Sequence, residues 1–259
     1  MSRATVLCAL LMAVGTASAF VTHAQSSLFS VGIRSAGAAR SQRGTSSVCM
    51  SLGRKDFVVA AAAAAASVLL PSLENAHAEV AGSRPTVLVT GASSGIGRAL
   101  AENLASSGTL EVVLGCRTPA KAQAAAEAIL AVYPGAAVRC LSTGLEHSDL
   151  ASVVAFAAEL RATTPSLAGL VFCAGIDGAP NTRTAQGLEL HLQVNHLASV
   201  ALYAELAATL PPRAPVVSFT SSAALDANPA ALSDIAGAER GYNTREAYCV
   251  SKACQVAQP

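Results

Sequence analysis

The segment PTVLVTGASSGIGRALAENLASSG, beginning at Pro85, constrains the fold of this chain more than any other stretch. A short apolar strand from Thr86 to Val89 passes through a turn holding Gly91, Gly95 and Gly97 into an amphipathic helix that Gly108 ends. The same alternation then repeats. Strands at EVVLGC, near AVRCL, at AGLVFCAG and at PVVSFTSS are separated by helices expected from about Pro119 to Val132, Ser148 to Arg161 and Thr184 to Leu210. Strands alternating with helices of this length predict βαβ units and a parallel sheet, and right-handed crossovers put helices on both of its faces. The predicted class is α/β, a three-layer αβα arrangement around a doubly wound parallel sheet, spanning residues 81–259.

The turn itself suits a phosphate. Gly91 permits the tight bend, the missing Cβ at Gly95 lets phosphate approach the backbone, and the helix N-terminus offers free N–H groups to a pyrophosphate. Ser93, Ser94, Ile96 and Gly97 complete the expected cradle. The next strand ends at Cys116-Arg117, roughly 20 to 25 residues beyond the glycines, where an NAD-binding fold places an acidic residue on the ribose 2′-OH. No carboxylate stands there. Arg117, with Arg98 at the start of the helix, instead suits a 2′-phosphate, which favours NADPH.

Composition narrows the partners. With 17 basic and 16 acidic residues, no global field recruits nucleic acid, and a small molecule is the expected partner. The seven cysteines form no CxxC pair, so neither a zinc site nor a disulfide framework is predicted, and they are expected to be packing thiols. Residues 1–80 read as an address. Arg3, the apolar run from Val6 to Val14 and the small residues Ala17 and Ala19 have the layout of a signal peptide, and Val21 to Lys55 is rich in Ser, Ala and Arg with no carboxylate before Asp56, as in a transit peptide. The two together resemble the leader of complex algal plastids. Arg54-Lys55, the apolar run from Phe57 to Leu70 and the small-x-small pattern Ala76-His77-Ala78 resemble a thylakoid transfer signal, with peripheral thylakoid association as a corollary. The other reading of that run is an Ala-rich helix resting on the folded domain.

Four stretches together resemble the short-chain dehydrogenase/reductase family over Thr86 to Gln255: TGASSGIG, Asn195 in LQVNHLA, the serines of TSS after the strand at Val216, and YCVSK. GCRTPAKAQ, TAQGLELHLQVNHL and YNTREAYCVSKACQ are similar to its retinol-dehydrogenase-like and light-dependent protochlorophyllide reductase branches. The resemblance implies a Rossmann fold, a nicotinamide cofactor, and reduction of a carbonyl or a double bond of an apolar small molecule, such as protochlorophyllide or another tetrapyrrole, or a retinoid or isoprenoid. It assigns Tyr248 to protonating the carbonyl oxygen, Ser222 or its neighbour Ser221 to hydrogen-bonding that oxygen, Lys252 to the nicotinamide ribose, and Asn195 to a water in the proton relay. Ala174 and Gly175 are implied to lie against the cofactor, and Glu146 to face the adenine. One turn apart on a helix, Tyr248 and Lys252 share a face, and an ammonium there stabilises the phenolate that proton transfer requires.

Some positions depart from the family pattern. Its Asn-Ala-Gly is Cys173-Ala174-Gly175 here, so an amide that braces the sheet is lost. The family's sheet also continues past Lys252 with two more strands and a lid, so the chain is expected to be an incomplete form of an enzyme, the alternative being a nucleotide-binding or partner-binding remnant.

Overall fold

The computed structural model describes residues 54–75, 84–228 and 241–257, all inside one compact unit, Gly32–Pro259. The signal-peptide and transit-peptide readings, and the cleavage pattern at Ala76-His77-Ala78, lie outside the described residues. In chain order the elements are α1 (Arg54–Asn75), β1 (Thr86–Thr90), α2 (Gly95–Ser106), β2 (Glu111–Gly115), α3 (Pro119–Val132), β3 (Ala137–Arg139), α4 (Leu150–Thr163) and β4 (Gly169–Phe172). Then come α5 (Leu190–Leu192, a π-helical turn Gln193–Leu197 and Ala198–Leu206), β5 (Val216–Ser218), a 3-10 turn (Ser222–Asp226) and α6 (Thr244–Val256).

All strand pairs are parallel and the order is β3-β2-β1-β4-β5. From β1 the chain steps outward to β2 and β3, then returns to β4 and β5 on the other side. Crossovers of one hand therefore put α2 and α3 on one face and α4 and α5 on the other. Residue alternation supplies both cores. Val87, Val89, Val112, Leu114 and Val171 pack under α2 and α3, whereas Leu88, Val113, Leu170 and Phe172 pack under α4 and α5. The order reverses between β1 and β4, so the connections leaving their carboxyl ends diverge and open a crevice at the glycine turn. Among the described residues β5 stands at the edge of the sheet, with Val216 40% exposed.

These crossovers leave the α2 face bare over β4 and β5, and α1 covers it. Ala62, Ala66, Leu69 and Leu73 recur at helical spacing and join the core under α2. Gly169 makes room for the last of them, since a Cβ on Gly169 would stand 2.6 Å from Leu73 Cδ2. In the structure this run is a helix resting on the domain, and it continues past Pro71 to Asn75. No helix of the described residues is long and apolar enough to cross a membrane.

The helix expected from Thr184 starts later. Gly187 adopts φ +76 in a turn that returns its N–H to the Thr184 carbonyl at 2.9 Å, and Glu189 caps the helix by accepting the Leu192 N–H at 2.7 Å. α5 thus begins as Leu190–Leu192, passes through a π-helical turn at Gln193–Leu197 and continues as Ala198–Leu206. Such turns are often found where a helix carries functional side chains.

Candidate active site

The glycine turn has the shape its sequence requires. Gly91 adopts φ +67, and a Cβ there would lie 2.9 Å from the backbone of Ala174, so the turn passes directly over the end of β4. Gly95 adopts φ +56 and faces open space, and a Cβ on Gly97 would come within 2.6 Å of the Gly91 carbonyl oxygen. Ser94, at the N-cap of α2, makes no side-chain capping bond, which leaves the first N–H groups of the helix facing the crevice beside Ser93, Gly95 and Ile96. Thr90 adds a brace that the sequence did not advertise. Its hydroxyl accepts the N–H groups of both Cys173 and Ala174 at 3.1 Å, tying β1 to β4 where the family's amide is missing.

Just beyond the end of β2, Arg117 and Glu146 meet in an ion pair of 3.3 Å. Glu146 also accepts the Ser148 N–H at 3.0 Å and its hydroxyl at 2.9 Å. The segment carrying Glu146 fits because Gly144 lacks a side chain, a Cβ there standing 2.5 Å from the Arg117 carbonyl. Arg98 lies 3.9 Å from Glu102, and its Nε is buried without a hydrogen-bond partner. Cys116 is a packing thiol, which burial pushes up to about 11, and burial raises the Cys173 thiol as well.

The other end is built by α5 and α6. Asn243 caps α6, accepting the Glu246 N–H at 3.0 Å, and the helix then sets Tyr248 and Lys252 one turn apart with Nζ 5.7 Å from the ring centroid. Lys252 Nζ donates to Gln255 Oε1 at 2.8 Å and to the Phe219 carbonyl at 3.4 Å. Burial pulls its ammonium down to about 8, against the opposing pull of Asp177. Asn195, fully buried in the π-helical turn, accepts the Ile176 N–H at 2.7 Å and donates to the Ile176 carbonyl at 3.0 Å and to Ser251 Oγ at 2.9 Å. It therefore clamps the segment after β4 and ties it to α6. Gly175 lies between these groups, since a Cβ on it would stand 3.2 Å from Asn195 Oδ1 and 3.5 Å from Lys252 Nζ.

The two serines part company. Ser221 is half-buried and caps the following 3-10 turn by accepting the Ala223 N–H at 3.2 Å, whereas Ser222 is exposed. Gln255 and Ser251 were not singled out from sequence. Their sign was their spacing from Lys252 and Tyr248 on one helix face.

The fold and motifs have relatives. A family model described as short chain dehydrogenase matches residues 85–233. Retinol dehydrogenase 12 of Bos taurus is 37% identical over 171 residues, covering 66% of this chain and 53% of that protein. The WW domain-containing oxidoreductase of Drosophila melanogaster is 39% identical over 121 residues, covering 47% of this chain and 29% of that one. An uncharacterized protein from Mycobacterium Paratuberculosis, solved by crystallography, superposes with a TM-score of 0.54 at 30% identity over 66% of this chain and 58% of its own. The chain thus spans about half the length, or less, of these curated relatives.

Proposed function

The chain belongs to the short chain dehydrogenase family, and on that premise we propose that it is an NADPH-dependent oxidoreductase that reduces a carbonyl of an apolar small molecule. The observation that carries the reading is the arrangement of Tyr248, Lys252, Asn195 and Gly175 on one side of the crevice that the glycine turn opens. The residues fit the cofactor: Gly91, Gly95 and Gly97 leave the pyrophosphate path clear, and Arg117 and Arg98 supply cations for a 2′-phosphate. When bound there, NADPH supplies a hydride to the carbonyl carbon. Tyr248 gives its hydroxyl proton to the carbonyl oxygen, Ser221 or Ser222 orients that oxygen, and Lys252 stabilises the phenolate left behind. An apolar substrate of retinoid or isoprenoid type is favoured by the likeness to a protein named as a retinol dehydrogenase. Addressing to a plastid is proposed for the leader, residues 1–80, within which α1 packs its buried face into the core.

The reading is tested by incubating the full chain with NADPH and a series of apolar aldehydes and following cofactor oxidation; consumption with none of them, in a protein that binds NADPH, contradicts it. Two further outcomes are expected. Arg117→Ala removes a charge-assisted contact, so affinity for NADPH should fall about tenfold while affinity for NADH is unchanged; equal losses for the two cofactors would place Arg117 elsewhere. Lys252 is charged below about 8 and neutral above it, so kcat should fall as pH rises through that value. Lys252→Met should remove this step from the profile, and a step that survives the substitution assigns it to another group.

A further inference from the structure

Beside the candidate active site lies a buried acid and imidazole that take no part in the chemistry above. The side chains of Glu189 and His191 are 4% and 0% exposed, and His191 Nδ1 is 2.9 Å from Glu189 Oε1. His191 Nε2 accepts the Ala179 N–H at 3.2 Å. A ring nitrogen that accepts a backbone N–H carries no proton, so the proton sits on Nδ1 and is donated to Glu189. The ring plane is therefore fixed from both sides. Glu189 cannot turn either, because its other oxygen holds the Leu192 N–H at 2.7 Å.

Tyr242, from the segment leading into α6, closes the group. Its hydroxyl lies 3.2 Å from Glu189 Oε1 and 3.3 Å from the Ala179 carbonyl, and burial holds its phenol above the usual range, so it stays a donor. Thr244 donates to the same carbonyl. Ala179, in the loop after β4, is thus held at its N–H by α5 and at its carbonyl by the start of α6. The fixed His191 ring meets the ring of Tyr248 edge-on, with centroids 6.2 Å apart and planes at 69°.

We propose that Glu189, His191 and Tyr242 form a positioning unit that sets the ring of Tyr248 against Lys252 and locks the loop at Ala179 beside it. The inference rests on Tyr248 being the proton donor. Glu189 is the informative position, because it acts on Tyr248 through His191, and Glu189→Gln keeps the shape and a cap for Leu192 while weakening the pull on Nδ1–H. The experiment is fluorine NMR of the full chain labelled with fluorotyrosine, the signals assigned by Tyr→Phe variants. In Glu189→Gln the Tyr248 signal is expected to broaden or split while those of Tyr133 and Tyr203 hold. With substrate, kcat should fall about tenfold at unchanged KM and unchanged NADPH affinity. His191→Leu is the second variant and should reproduce the Tyr248 change. A Tyr248 signal identical to wild type in both variants overturns the proposal. A wild-type chain that binds NADPH but reduces nothing counts against the oxidoreductase reading instead, and the NMR result still decides the positioning role.

Discussion

Tyr248→Phe is expected to lower turnover about a thousandfold while NADPH affinity stays within about twofold of wild type. The substitution removes one oxygen and its proton from α6 and leaves the ring that packs against His191. Among the described residues nothing in the fold depends on that hydroxyl: Tyr248 is only half-buried, and the helix is held by the Asn243 cap and by Ser251, whose hydroxyl donates to the Tyr248 carbonyl at 2.7 Å and receives Asn195 Nδ2. A loss of activity therefore reports proton transfer and not misfolding. If the variant retains turnover, another group protonates the product and the roles assigned to Lys252 and Asn195 fall with it.

The second large effect concerns α1. Leu73 is fully buried against Gly169, and cutting it to Ala should cost about 3 kcal/mol, within the range for buried leucines. Leu73→Asp puts an unpaired carboxylate into the same place, and the expected result is loss of cooperative unfolding. Val68 on the same helix is 50% exposed, so Val68→Asp should change stability by less than about 0.5 kcal/mol. Denaturant titration of the three variants gives the comparison. Removal of residues 1–78 should match Leu73→Asp, since it strips the cover from the sheet over β4 and β5. Should Leu73→Asp and Val68→Asp unfold alike, α1 is a passenger and the boundary at residue 81 stands.

Much of the fold was legible because its signals are local. The change of period from strand to helix at Gly91–Gly97, the β2 strand ending just before Cys116-Arg117, and the pair Tyr248 and Lys252 one turn apart are each set by residues close together in sequence. α1 was harder for a physical reason. In FVVAAAAAAASVLL almost every residue is apolar, so no polar face marks which side is buried, and the stripe of Ala62, Ala66, Leu69 and Leu73 is defined only by what it touches. The start of α5 was placed too early because Thr184 to Glu189 carries no strong breaker except Gly187, while the cap that sets the boundary is Glu189 itself.

Pairings distant in sequence were not legible at all. The sequence presents Arg117 and Glu146 separately, as a cation for a 2′-phosphate and a carboxylate for the adenine, and the structure joins them at 3.3 Å. On the proposed reading, a 2′-phosphate at Arg117 would have to compete with Glu146 for the guanidinium. Thr90 gains its partners from Cys173 and Ala174, and His191 gains Tyr242, all far along the chain. Only the parallel order β1-β4 and the return of α6 to α5 bring those partners within reach.

The most direct measurement is a titration of the full chain with NADPH in the absence of substrate, followed by nicotinamide fluorescence, with NADH titrated in parallel. Saturable binding of NADPH, tighter than that of NADH, is the predicted result. No saturable binding of either dinucleotide by the folded chain would contradict the assignment of the Gly91–Gly97 turn and Arg117 as a cofactor site, and the oxidoreductase reading that depends on it.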